Sequence, residues 1–183
     1  MKMFSVNAKV NLTQKPSWLD DFRSKYDKPY EWHITLKQAC IISDDQVSII
    51  KNKLDKLFSD IKTAPISLTF DKLDVSKIPD HICIMIKTTD NIEIGKLQKN
   101  ILSVLGEYNK YHKEKYKAYE ENFNPHITIG RSLNEQSYEM AMKDLKEDYV
   151  CKGTINQVRL IVVDNTDDAY EVNDPANQTV YNL

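Results

Sequence analysis

The phrase His33-Ile34-Thr35-Leu36 returns ninety-three residues later as His126-Ile127-Thr128-Ile129, and nothing else in the chain constrains its fold as strongly. Side chains alternate between the two faces of an extended strand. Each imidazole therefore shares a face with its own threonine hydroxyl, while the aliphatic pair points the other way, into a core. With this composition a histidine is followed by aliphatic, Ser or Thr, aliphatic on the order of one time in a hundred by chance. Two of the four histidines are followed in this way. A fold that sets the two strands side by side surrounds one cleft with two imidazoles and two hydroxyls, a set suited to holding a phosphate.

The rest of the chain supplies such a fold. Phe4, Val6, Ala8, Val10 and Leu12 alternate with polar residues and predict a half-buried strand, ended by Pro16. A short helix is expected from Ser17, with Asp20 and Asp21 in its first turn, where negative charge suits the helix dipole. The first motif strand is expected from Tyr30 through Leu36 and on to Ile42. Ser43-Asp44-Asp45 offers N-caps for a helix whose apolar residues Val47, Ile50, Leu54, Leu57, Phe58 and Ile61 follow helical spacing. Strands at Ile66 to Phe70 and His81 to Thr88, linked through Lys77-Ile78-Pro79-Asp80, read as an antiparallel pair. A helix follows from Ile92 to about Tyr108.

The second motif strand is expected near Phe123, then a helix through Tyr138, Met142 and Leu145, and an apolar strand from Val158 to Val163. Asp164 to Pro175 reads as turn chemistry, and Thr179-Val180-Tyr181 as a closing edge strand. This order predicts an α+β fold with an approximate internal two-fold, each half contributing one His-x-Thr strand.

Composition narrows the function. The 183 residues suit one domain, 1–183, built of two lobes, and 41% hydrophobic with 28% charged residues is globular rather than disordered composition. A formal net charge of −2 argues against a broad basic field for long nucleic acid and favours a small or locally gripped anion. Cys40, Cys83 and Cys151 lack metal-ligand spacing and read as buried thiols of a reducing compartment. No signal-like run or membrane-length apolar stretch occurs, so a soluble, cytoplasmic protein without a membrane partner is expected, as a monomer. No His-Glu-x-x-His, carboxylate cluster or glycine-rich phosphate loop is present, and neither metal nor cofactor is expected.

The paired motifs, preceded by Pro29-Tyr30-Glu31-Trp32 and by Asn124-Pro125, resemble the signature of the two-histidine (2H) phosphoesterase superfamily, which contains LigT-type RNA ligases and cyclic phosphodiesterases. The segment Pro125-His126-Ile127-Thr128-Ile129-Gly130-Arg131 carries the closer match. Lys37-Gln38-Ala39-Cys40 departs from the aromatic, glycine-containing run of many LigT-type members. The resemblance implies a bilobal LigT-like fold of two antiparallel-sheet-plus-helix lobes around a central cleft. It also implies metal-independent attack on phosphodiesters that involve a ribose 2' oxygen: 2',3'-cyclic phosphates, ADP-ribose cyclic phosphate, 2'-5' linked oligonucleotides or cyclic dinucleotides.

His33 and His126 are accordingly the candidate catalytic pair. With unperturbed pKa values near 6.5, one neutral and one protonated imidazole coexist near neutral pH, one taking a proton and one giving it. The sequence leaves open which does which. Thr35 and Thr128 are candidates to donate to the nonbridging phosphate oxygens. Lys37 and Arg131 read either as added positive charge or as solvated strand ends, and Tyr30 flanks the first motif as a further candidate contact. Trp32 and His81 read as structural. The lysine and tyrosine run from Tyr108 to Tyr119 reads as an amphipathic helix end with a solvated lysine face, or as a platform beside the cleft. The leading expectation is a phosphodiesterase taking a nucleotide or short oligonucleotide. RNA end joining by the same groups and a nucleotide- or RNA-binding module without turnover are the alternatives.

Overall fold

The computed structural model describes residues 1–78, 81–90 and 92–183, and the expected link through Pro79 and Asp80 lies outside them. Alternation does its expected work in β1 (Lys2–Gln14), which buries Phe4, Val6, Ala8 and Val10 on one face. Helix α1 (Leu19–Tyr26) buries Leu19, Phe22 and Tyr26, spaced by three and four. The first motif strand is β2 (His33–Ile42), and α2 (Asp44–Asp60) follows, where the Ser43 amide donates to Gln46 Oε1 at 3.0 Å. β3 (Ile66–Ile78) and β4 (His81–Thr88) form the expected antiparallel pair, and α3 (Ile92–Leu105) buries Ile94, Leu97, Ile101 and Leu105.

A short α4 (Lys115–Glu121) leads to the second motif strand β5 (His126–Leu133). Next come α5 (Glu135–Asp144), β6 (Cys151–Val163), α6 (Ala169–Asn173) and β7 (Gln178–Asn182).

The fold is α+β, with an antiparallel sheet in the order β2-β1-β6-β3-β4-β5 and β7 added to β6. β6 gives one edge to β1 along its length. Its other edge is shared: Cys151 to Ile155 pair with β3, and Gln157 to Ile161 pair with β7. One strand thus joins a β2-β1-β6-β7 lobe to a β3-β4-β5 lobe. At the junction a Cβ on Gly153 would stand 2.8 Å from Val10 Cγ1, closer than side chains tolerate, so the crossing requires glycine. Among the described residues no helix is long and apolar enough to cross a membrane.

The internal two-fold reaches down to the strand register. Thr35 faces Asn7 while Lys37 faces Val6, which leaves Leu36 as an extra residue in β2. Thr128 faces Met85 while Gly130 faces Ile84, which leaves Ile129 as the extra residue in β5. Both motif strands therefore bulge at the residue after the threonine, so alternation cannot be carried past that point.

Several expected boundaries change. β2 begins at His33 rather than Tyr30, because the carbonyls of Tyr30 and Glu31 are taken by the side chains of Arg23 and His33. β5 begins at His126 rather than near Phe123. β3 and β6 run to thirteen residues each, since their polar stretches still pair, with β4 and β1 respectively. Within the expected turn region Asp168 caps α6, its carboxylate accepting from the Tyr170 amide at 2.8 Å.

Candidate active site

The two motif strands lie at opposite ends of the sheet path, yet the sheet curls so that β2 and β5 come into contact. His33 Nδ1 is 2.7 Å from the carbonyl oxygen of Glu31, and His126 Nδ1 is 2.7 Å from that of Asn124. A carbonyl can only accept, so in each neutral imidazole Nδ1 carries the proton and Nε2 is the unprotonated nitrogen. Both histidines are held by the same device, a carbonyl two residues back. Each also has a lysine as its cross-strand partner, Lys9 for His33 and Lys87 for His126. Thr35 and Thr128 are half-buried, one residue beyond Ile34 and Ile127, which are buried in the core.

Arg131 carries a charge that reaches both histidines and lowers the pKa of each. Its Nε donates to Asp27 Oδ1 at 3.1 Å, and its guanidinium lies 4.6 Å from the ring centroid of Tyr30. Asp27 is wholly buried and also accepts from Arg23 Nε at 3.3 Å, while the Arg23 guanidinium covers the Trp32 ring at 3.8 Å. Tyr30 is buried, donates its hydroxyl to the Thr166 carbonyl at 3.1 Å and meets the His33 ring edge-on at 6.2 Å. Burial pushes its phenol up to about 12. Tyr30 therefore supports His33 and Arg131 rather than lying open to the cleft.

The electrostatics differ from two ordinary imidazoles. Burial, then the charges of Arg131 and Arg23 and the neighbouring His126, push His33 down to about 3. His126 is also lowered, by burial first and then by Arg131 and Lys87, with its bond to Asn124 and the Asp74 carboxylate acting the other way. The expected coexistence of one neutral and one protonated histidine at neutral pH is thus corrected: with no anion in the cleft both imidazoles are neutral at pH 7.

Lys37 is corrected outright. The bulge at Leu36 turns it off the face of His33 and Thr35, and it is completely buried, 2.7 Å from Glu120 Oε1. Glu120 also accepts from the Tyr111 hydroxyl at 2.8 Å and the Gln38 amide at 3.0 Å. Lys37 is neither a strand end nor a cleft cation.

The lysine and tyrosine run divides. Tyr111 bridges to Cys40 as an added edge of β2, and Lys113 reaches Asp167 at 2.8 Å. His81 is half-buried with Nε2 3.3 Å from Cys83 Sγ, and burial first, then the charges of Lys115, Lys113 and Arg131, lower its pKa. Cys40 and Cys151 are buried as expected, whereas Cys83 is only partly so.

Sequence reasoning missed Arg23, Asp27 and Glu120. The first two stand four apart, on a short helix and at its C-cap, and read as an ordinary surface pair. Nothing local marks Asp27 as the anchor of a residue 104 positions away.

The sequence matches the family model of the 2'-5' RNA ligase superfamily over residues 13–167. No curated protein sequence matches significantly. Among solved structures, Usb1 of Kluyveromyces marxianus is similar in fold, with a TM-score of 0.57 at 8% identity over 99% of this chain and 98% of that one. The same protein with uridine monophosphate aligns at a TM-score of 0.54 and 9% identity, over 100% and 98% of the two chains. LigT of E. coli complexed with 3'-AMP aligns at 0.53 and 12% identity, covering 100% of this chain and 95% of that chain. At such identities the likeness is one of fold.

Proposed function

The chain belongs to the 2'-5' RNA ligase superfamily, within the 2H phosphoesterases, and from that premise we propose that it is a phosphodiesterase cleaving 2'-linked phosphodiesters with His33 and His126 as general base and acid. The observation that carries this reading is the matched pair of imidazoles, each fixed in the same tautomer at 2.7 Å from a carbonyl. His33, on which every neighbouring influence acts to lower the pKa, is assigned as the base. His126, whose shift is opposed by Asp74, is the acid and takes up its proton as the substrate anion arrives.

On a 2',3'-cyclic phosphate, His33 Nε2 takes a proton from water as the water oxygen attacks phosphorus. The bond from phosphorus to one ribose oxygen breaks, and protonated His126 gives its proton to that oxygen. On a 2'-5' linkage the neighbouring 3' hydroxyl attacks instead, and the 5' oxygen leaves. Thr35 and Thr128 donate to the nonbridging oxygens, and Arg131, held rigidly by Asp27, balances the charge that builds there. Two imidazoles supply both proton transfers, so the reaction is proposed to need no metal.

The nucleotides in the similar structures, uridine monophosphate with Usb1 and 3'-AMP with LigT, support a nucleotide ligand. The test is turnover in EDTA of 2'-5' oligoadenylates, 2',3'-cyclic nucleotides and cyclic dinucleotides. Cleavage of at least one is expected; a folded protein that cleaves none would overturn the reading. The family's name favours end joining as the second reading, which incubation with cyclic-phosphate and 5'-hydroxyl RNA ends decides.

A further inference from the structure

The two lobes differ in how the lysine opposite each histidine is paired. On the His126 side, Lys87 is paired one to one with Asp74. On the His33 side a single carboxylate, Glu31, serves two cations: Oε1 lies 3.3 Å from Lys9 Nζ, and Oε2 contacts Arg159 Nη1. These groups line one small pocket together with His33 and Asn7. The row across the sheet runs Thr35, Asn7, Arg159 on β2, β1 and β6, so the pocket continues directly from the phosphate-binding threonine.

The pocket's polar capacity is not met from within. Among the described residues the buried Nε of Arg159, a donor that an anion can satisfy, has no partner. Burial and the adjacent Arg159 guanidinium hold the Lys9 ammonium below the usual lysine value. Glu31 is the more exposed member: its side chain is 42% exposed, against 11% for Arg159.

We propose that this pocket is a subsite for a second phosphate, with Lys9 and Arg159 as its cations and the Glu31 carboxylate occupying the anion's place until substrate displaces it. Arg159 stands two strands from Thr35, about 10 Å at ordinary strand spacing, and its side chain spans part of that gap. That separation suits a phosphate one nucleotide unit from the scissile one. The inference rests on the function proposed above and narrows its substrate class to nucleotides or short oligonucleotides that carry an additional phosphate.

Two measurements test it. Adenosine 2',3'-cyclic phosphate and its 5'-phosphorylated form are compared by kcat/KM, and adenosine 3'-monophosphate and 3',5'-bisphosphate by calorimetry, which needs no turnover. The doubly phosphorylated member of each pair is expected to be preferred at least about tenfold, as two charge-assisted contacts imply. Arg159→Gln brings the ratio close to one and Glu31→Gln raises it; Lys9→Gln serves in place of Arg159→Gln should that variant fail to fold. A ratio near one in the wild type, or a ratio indifferent to Arg159→Gln and Lys9→Gln, overturns the subsite. If neither cyclic phosphate is cleaved, the calorimetric ratio still decides the subsite, independently of the catalytic reading.

Discussion

Asp27 accepts a hydrogen bond from Arg131 at 3.1 Å and so ties the end of α1 to β5. The same wholly buried carboxylate takes a second bond from Arg23 and a third, at 2.8 Å, from the Lys28 amide. Asp27→Asn keeps the shape but leaves two guanidinium groups without their counter-charge. Breaking a buried pair in this way costs about 3 kcal/mol or more, read as a lower midpoint in urea. kcat/KM falls with it, because Arg131 loses the anchor that holds its charge within reach of the histidines. An unchanged midpoint would mean that the arginines find other partners.

The histidines themselves separate chemistry from folding. His33→Ala and His126→Ala each remove a group proposed to transfer a proton, and each should lower the rate about 100- to 10,000-fold. Neither side chain belongs to the apolar core, so both variants should melt near the wild-type temperature. His81→Ala is the control, since its ring bonds only Cys83 among the described residues and should keep most of the rate. Equal losses in all three would move the site toward β4.

How much of this was legible in the chain differs by length scale. The His-x-Thr repeat and the alternation of β1 are local patterns, and they located both motif strands and the core face. Alternation failed at Lys37, because a bulge adds a residue without changing the sequence's look. Arg23 and Asp27 were illegible for another reason: their partners come from β5 and from the segment before β2, and only the closed sheet brings those together. The depressed imidazoles were invisible likewise, since burial and the neighbouring guanidinium charges of Arg131 and Arg23 are tertiary facts.

Lys37 gives a test of the corrected role. Glu120 collects three donors, from Lys37, Tyr111 and Gln38, and so fastens α4 and the Tyr111 segment to β2. Lys37→Met leaves a buried carboxylate with two neutral donors and should cost about 3–5 kcal/mol in chemical denaturation. Adding Glu120→Leu should restore part of that loss, because an apolar pair replaces the ionic one, though the Gln38 amide is left unpaired. If Lys37 touched substrate, kcat/KM would stay low in the double variant; with a structural role, activity returns along with stability.

The pH dependence follows from the directions of the two histidine shifts. The base must be neutral, and His33 is neutral at every pH above about 3. The acid must be protonated, and His126 in the free protein holds a proton only below a value lying under the usual 6.5. Since kcat/KM reports the free enzyme, it should already be falling as pH rises through 6.5, with an optimum in mildly acidic solution. A bound phosphodiester anion favours the imidazolium, so the alkaline limb of kcat should lie at higher pH than that of kcat/KM. Arg131 lowers both histidines, so in Arg131→Gln both limbs of the profile should move toward higher pH while the rate at the optimum drops. Profiles of kcat and kcat/KM for the two proteins across about pH 2.5 to 9, which spans both limbs, check each step. Limbs that stay in place in Arg131→Gln would show that burial alone sets the shifts, and coincident limbs for kcat and kcat/KM would show that the substrate anion leaves the acid's pKa unchanged.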